Sequence, residues 1–464
     1  MENNSGAGPF LKLSGLKLPL DFQEADVKRA AAKKLRLPER AVTLVRLAKK
    51  SVDARKKEDV HFVCQVEAAI DGDVERLLSR RRDPSIQKAV PYRYELPRCG
   101  KLPQRPVVVG FGPAGMFAAL LLAQCGQAPI VLERGKPVEE RERSVQRFWK
   151  ERVLDPQSNV QFGEGGAGTF SDGKLTTGTG DSRIRKVLEE LVRAGAPEEI
   201  LYEAKPHIGT DKLPGVVRAI REQVIALGGQ VQFSTQAAGF VLKDGRLTGL
   251  RLRTPQGEEI LECSQVILAI GHSARDTFEE LHRLGLPMEA KAFSVGARIE
   301  HPAALIDRAQ YGSFAGHPAL GAADYKLSCH LENGRGVYTF CMCPGGYVTG
   351  AASEEGGVVT NGMSPWARDG QNSNAALLVG VTPADFGAEG PLAGVAFQRK
   401  IERAAFQLGG GDYSAPAQRV ADLSEGRAST AFGGVSPTYE PGVVPADLGG
   451  CLPGFVIDSM KAAL

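Results

Sequence analysis

No CxxC pair and no Cys/His set with zinc-ligand spacing occurs in the 464 residues, so neither a thioredoxin-type redox motif nor a zinc site is expected. The eight cysteines, at positions 64, 99, 125, 263, 329, 341, 343 and 451, are scattered, which points to reduced thiols in the cytosol rather than a disulfide framework. A chain of this length buries enough core to stand without one. Charge of one sign is also lacking: 57 Lys+Arg against 54 Asp+Glu leave +3, which by itself implies neither a nucleic-acid nor a membrane partner. The opening Met1–Ser5 has no basic and no apolar region, so no signal peptide is expected. The longest apolar stretch, Val107–Ala123, is interrupted by Gly110, Gly112, Pro113 and Gly115 and does not read as a membrane span. There is no internal repeat and no low-complexity segment. The expectation is a cytoplasmic globular protein with no membrane partner. What the chain has in quantity is glycine, 55 residues of it, in clusters.

Charge is unevenly placed. Residues 1–104 hold 22 Lys+Arg and 14 Asp+Glu, whereas the remaining 360 hold 35 and 40. After a flexible lead over residues 1–15, strand (Leu16–Phe22), helix (Glu24–Leu37) and two strands (Val42–Ser51, Val60–Ile70) suggest a small βαββ-like domain. Arg76–Asp83 reads as a solvated exit segment, and Arg80–Arg82 within it as a charge run rather than an RNA contact. The expected division is a basic N-terminal α/β domain over 1–95, a Pro/Gly-containing linker over 96–105, a nucleotide-binding domain over 106–275 and a mostly β substrate domain over 276–464. The fold class is α/β, Rossmann-like in its central domain.

Gly110-Phe-Gly112-Pro113-Ala114-Gly115 fits GxGxxG, and here the motif follows a valine strand, opens the helix Pro113–Gln124 and is followed 23 residues after Gly110 by Glu133 at the end of the next strand. Gly110 permits a tight turn, Gly112 a close approach to a pyrophosphate, and Gly115 close packing of helix on strand, while the helix N-terminus offers N–H donors and positive dipole. A carboxylate at 133 suits ribose hydroxyls and repels a 2′-phosphate, so FAD or NAD is expected rather than NADP. The loop Phe162–Lys174 contains two imitations. Gly163-x-Gly165-x-x-Gly168 lacks the preceding strand, and Gly168-x-x-x-x-Gly173-Lys174 has Leu175 where a Walker A loop carries Ser or Thr. The loop reads instead as one backbone cradle in which glycines expose N–H groups to a flat or anionic ligand, with Lys174 near an electron-rich ring.

These segments, followed by the strand end Val266–His272, resemble the two-dinucleotide-binding-domain flavoproteins. Together with Phe293–His301, Cys341–Gly346, Thr360–Ser364 and the basic N-terminal domain, they most resemble a bacterial family of largely uncharacterised NAD(P)/FAD-dependent dehydrogenases. The resemblance implies that Gly110, Gly112, Pro113, Ala114 and Gly115 hold the FAD pyrophosphate. It implies Glu133 on the adenosine ribose, Arg134 beside the adenine, and Gly163, Glu164, Gly165, Gly166, Ala167, Gly168 and Lys174 along the flavin end. Ala237 would touch adenine and Gly271 would close the second contact. One departure is that the strand and Gly-rich helix start that normally return to cap the flavin are not found before Leu464.

The implied function is an FAD-dependent oxidoreductase moving a hydride through flavin N5 to or from a small organic substrate, with NAD(P)H as a candidate electron donor binding without a nucleotide domain of its own. An RNA-modifying flavoprotein and a non-catalytic nucleotide-binding protein or inactive fragment stand as alternatives. Cys341 and Cys343, just after the apolar Val337–Phe340 strand, read as structural thiols rather than a redox pair beside the flavin, since buried structural cysteine is common. His272 reads as a turn histidine or a proton donor at a flavin edge, and His301 and His330 as isolated. No residue is singled out as catalytic, no metal is expected, and oligomeric state is not legible.

Overall fold

The computed structural model describes residues 10–464. The chain forms two compact units, each discontinuous in sequence. One comprises residues up to Glu95 with Lys174–Ile208 and Ala304–Ala323, and the other comprises Leu96–Gly173, Gly209–Ala303 and Asp324–Leu464. The consecutive blocks expected from sequence therefore differ from the compact units, because two later segments return to the first.

In the first unit, strands Leu11–Leu18, Val42–Asp53, His61–Ile70 and Ile86–Lys88 form an antiparallel sheet. The order across it is 42–53, 61–70, 11–18, 86–88, with helices Glu24–Leu35 and Val74–Arg81 as the crossovers. This is the split βαβ arrangement, β-α-β-β-α-β. Alternation, reset by a bulge between Leu13 and Leu16, puts Leu11, Leu13, Leu16 and Leu18 on the covered face, where Val27, Ala31 and Leu35 of the first helix meet them. The expected flexible lead is corrected from residue 11 onward, where the chain is strand; residues 1–9 lie outside the described residues. The expected exit segment is also corrected. Asp73 accepts from the Arg76 N–H and caps the helix Val74–Arg81, after which Ile86–Lys88 pairs with Leu11–Leu13. The returning segments add the Lys50–Ala204 backbone pairing and seat Phe314 and Leu320 on the same core.

In the second unit, strands Gln230–Gln232, Ile130–Leu132, Val107–Val109 and Val266–Leu268 lie side by side, all parallel, in that order. Numbered by their succession in the chain, this is the order 3-2-1-4 of a doubly wound sheet. Val107 and Val108 are fully buried, as expected of a parallel strand covered on both faces. An antiparallel three-stranded sheet (Gln236–Lys243, Arg246–Thr254, Gly257–Glu262) precedes the last strand and shares its core through Ala237, Leu250 and Leu252. Further along, Phe293–Pro302, Asn372–Val381, Gly336–Cys343 and Ser328–His330 form a second antiparallel sheet. Helices Ala393–Leu408 and Gly454–Ala463 contribute Phe397, Ile401, Val456 and Met460 to the cores around this sheet. The expected mostly β region is thus mixed α/β.

Candidate cofactor site

A cavity of about 710 Å³ opens at the carboxyl ends of Val107–Val109 and Val266–Leu268, the point where strand order reverses and where open α/β sheets bind ligands. The βα turn at its base is built around three glycines with different jobs. Gly110 has φ +95°, and a Cβ there would lie 2.5 Å from the Ala269 carbonyl oxygen. A Cβ on Gly115 would lie 1.9 Å from the Gly110 carbonyl oxygen. Both positions are glycine because the fold leaves no volume. Gly112 is different. Its φ of −74° is open to any residue, and a Cβ there would meet nothing nearer than the Gly166 Cα at 3.6 Å. The fold tolerates a side chain at 112, and the cavity it lines would be partly filled by one. Proline at the first helical position has no N–H, and the first bond in the helix runs from Met116 N to Gly112 O, at 2.8 Å. The N–H groups of Ala114 and Gly115 therefore have no partner within the helix, and the dipole adds positive potential there.

Glu133 is buried and fastens three segments together. Its carboxylate accepts from Phe111 N at 2.8 Å, Gly135 N at 2.9 Å and Gly163 N at 2.9 Å. Of roughly four lone-pair positions on an ionised carboxylate, three are so engaged. Arg134 stacks on Phe162 with its guanidinium carbon 4.3 Å from the ring centroid and pairs with Asp276 at 2.5 Å. Its buried Nε has no partner. Beneath the loop lies Arg141, with no exposed surface, donating to the carbonyls of Asn159 (2.9 Å), Val160 (2.9 Å) and Glu164. Burial draws its pKa down to about 10, so it remains charged at neutral pH. Glu164 accepts from the Val138 N–H at 2.8 Å and from Arg221 at 2.9 Å. Burial outweighs these bonds and pushes its pKa up to about 7, and its other oxygen has no partner.

The loop is not the open cradle of donors that its glycines suggest. The N–H groups of Gly163, Glu164, Gly165 and Gly166 bond to Glu133, Lys136 O, Phe111 O and Gly163 O. Glycine at 163 is required because a Cβ would strike the Arg141 side chain at 2.4 Å, and at 165 because one would strike Thr169 at 2.0 Å.

Residues 292–464 match a family model described as FAD-dependent protein, C-terminal domain-like, and residues 11–69 match a domain of unknown function (DUF8436). An uncharacterized protein of Clostridium beijerinckii is 47% identical over 457 residues, covering 98% of this chain and 85% of the relative. The chain belongs to the same family as that protein. Among solved structures, THI4 of Thermovibrio ammonificans overlays 40% of this chain and 65% of its own (18% identity, TM-score 0.27). The glycerol-3-phosphate dehydrogenase of Bacillus halodurans, complexed with FAD, overlays 60% of this chain and 48% of its own (12%, 0.30), and the amino acid oxidase NikD 62% and 72% (15%, 0.32). This chain thus spans less than two thirds of the first two proteins. Scores this low leave those overlays without functional weight.

In this family member the cavity is lined by twelve of the residues expected from sequence: Gly110, Gly112, Pro113, Ala114, Glu133, Arg134, Gly163, Gly166, Ala167, Gly168, Ala237 and Gly271. Four lie elsewhere. Gly115 packs helix against turn, Glu164 and Gly165 face Arg221 and Thr169, and Lys174 is bridged to His207 in the other compact unit. Sequence reasoning missed the helix Arg275–Arg283, which brings Thr277, Phe278 and Leu281 to the cavity. The spacing of Ala274, Phe278 and Leu281 was the available signal. It also missed Gln161, whose Oε1 is 3.4 Å from Ser273 Oγ. His272 lines the cavity, and burial followed by the nearby Arg275 lowers its pKa, favouring neutral imidazole. Cys341 has φ +45° at a bulge between Phe340 and Cys343, so regular strand alternation does not apply there; Cys343 is buried and donates to the Cys341 carbonyl at 3.3 Å. No cysteine forms a disulfide and no metal-ligand cluster occurs among the described residues. No helix among them is long and apolar enough to cross a membrane.

Proposed function

We propose that the protein is an FAD-dependent oxidoreductase acting on a small organic substrate, with NAD(P)H as electron donor. The observation that carries this reading is Gly112, a glycine required neither by its backbone angles nor by neighbouring atoms, at the N-terminus of a helix with two unpaired N–H donors. The residues fit the cofactor. Ala114 and Gly115 would bond the pyrophosphate through their N–H groups. The remaining acceptor position of Glu133 would take a ribose hydroxyl, and the unpaired Nε of Arg134 and the Ala237 backbone would flank the adenine. FAD bound there supplies two-electron, hydride-type chemistry. The chain's own residues orient it: Arg141 and Glu133 hold the loop Gly163–Gly168 against the turn, and the Thr277, Phe278 and Leu281 side chains exclude water from one wall. His272, kept neutral, is placed to hold or donate a proton at that wall.

The test is the visible spectrum of the purified full chain, followed by release and identification of the chromophore. Flavin absorption with FAD in the supernatant, bleached anaerobically by NADH or NADPH, is the expected result. A colourless protein that stays colourless in excess FAD refutes the cofactor assignment. Retained FAD that no electron donor reduces refutes the oxidoreductase reading and favours a non-catalytic binding protein.

A further inference from the structure

A second cavity, of about 730 Å³, lies in the same compact unit as the first. Strand Phe293–Pro302 forms one side, helices Ala393–Leu408 and Val420–Glu425 others, and the segment from Phe432 to Val435 its rim. Its lining is predominantly apolar, with Val295, Ala297, Ile401, Leu448, Leu452 and Met460 among the contributors. A space of roughly 300–1,000 Å³ with apolar walls and a few placed polar groups is the usual form of a small-molecule site.

Four charged side chains line it, and three are committed within the protein. Arg298 donates to Asn374 Oδ1 and to the Cys341 carbonyl, each at 2.8 Å. Glu300 accepts from the Thr438 N–H and hydroxyl and from Asn372. Glu402 accepts from Arg275 at 2.6 Å. Arg419 alone has no ion pair and no side-chain hydrogen bond among the described residues. Its guanidinium lies along the Gly433 backbone, 3.7 to 3.9 Å from where a Cβ would stand, and its side chain is solvent-accessible at the rim. The one uncommitted charged side chain is therefore a cation with a planar fork of donors, matched in shape and sign to a carboxylate.

The second cavity also shares a partition with the first. Ala274 lines the first cavity, and its neighbour Arg275 donates to Glu402 at 2.6 Å and to Gln398 at 3.3 Å, both of which line the second. We propose that this second cavity is the substrate site and that the substrate is an apolar monocarboxylate, its hydrocarbon body among the aliphatic walls and its carboxylate on Arg419. The assignment as substrate, rather than ligand, rests on the flavoenzyme reading above.

The experiment uses the full chain loaded with FAD, titrated calorimetrically with decanoate and with decanol, the flavin spectrum being recorded in parallel. Decanoate is expected to bind at least tenfold more tightly than decanol and to perturb the flavin bands. Arg419→Gln is expected to weaken decanoate about tenfold, the loss of one charged hydrogen-bonding partner, and to leave decanol unchanged. Ala405→Phe, which fills part of the cavity, is expected to weaken both, with circular dichroism melting to show that each variant folds. Equal binding of acid and alcohol, no binding of either, or decanoate affinity indifferent to both substitutions overturns the proposal. Binding that leaves the flavin bands unmoved overturns the substrate assignment. Failure of the flavin reading looks different: no FAD is retained, whatever decanoate does.

Discussion

Replacing Gly112 by alanine separates what the fold needs from what a ligand needs. On the protein side two small effects oppose each other. Alanine is a poorer N-cap than glycine by about 0.5–1 kcal/mol, while a chain with one glycine fewer loses less entropy on folding, by about 0.4–1 kcal/mol. The added methyl meets only the Gly166 Cα, at an ordinary 3.6 Å. Stability should therefore move by less than about 1 kcal/mol, a melting shift of a few degrees at most in a chain of this size. On the ligand side the methyl projects into the cavity beside the free N–H groups of Ala114 and Gly115. A hydrogen bond to a charged group contributes about 1.5–3 kcal/mol, so losing one of them weakens FAD roughly 10- to 150-fold. The assay is a fluorescence titration of apoprotein with FAD, with melting followed by circular dichroism. Gly115→Ala is the contrast, since its Cβ would lie 1.9 Å from a backbone oxygen and forces helix and turn apart, costing about 3 kcal/mol or more before any ligand is added. Wild-type affinity in Gly112→Ala, or a stability loss as large as that of Gly115→Ala, refutes the reasoning.

Three further outcomes follow from the charges beneath the loop. Arg141→Met leaves three carbonyls of a buried loop without donors and should destabilise the chain by about 3–5 kcal/mol in urea unfolding; a loss under 1 kcal/mol contradicts the assigned bonds. Glu133→Gln turns an amide toward three N–H donors where an anion stood, and should destabilise by about 2–4 kcal/mol and loosen the loop toward proteolysis; an unchanged denaturation midpoint counts against it. Glu164 gives a pH dependence of definite sign. Its folded pKa of about 7 lies above the ordinary 4.5, so the folded state binds more protons between these values. Its contribution is fully present below about pH 4.5, declines as pH rises to about 7 and is level beyond, amounting to about 3 kcal/mol at most. The difference in stability between wild type and Glu164→Gln, measured from pH 4.5 to 8, should show that decline; a flat difference rules it out.

How much of this was legible in the sequence depended on whether a residue's type carried its reason. The turn Gly110–Gly115 was legible because strand, spacing, helix and acid are adjacent in the chain, and strand pairing then places the turn at the reversal of strand order. The loop after Phe162 was read for the wrong reason. Glycine looks the same in sequence whether a backbone angle, a crowded neighbour or a ligand demands it. At 163 the demand comes from Arg141, and at 165 from Thr169. The helix Val138–Glu151 escaped notice for a related cause. Its buried positions 138, 141, 145 and 148 follow a helical stripe, but position 141 carries arginine, so the apolar period is broken by the residue that organises the site.

The second cavity had no sequence signal, because an apolar side chain on a cavity wall and one in a packed core are the same residue. Only the accounting of charges separates them. Arg298, Glu300 and Glu402 each answer to a partner, and Arg419 does not. The same accounting recovered Gly112 as the ligand-facing glycine among several and the Nε of Arg134 as an unanswered donor. Function in this chain is therefore read where a residue's presence is left unexplained by the protein's own packing and bonding. Those places lie on the first cavity and, separated from it by the Arg275–Glu402 pair, on the second.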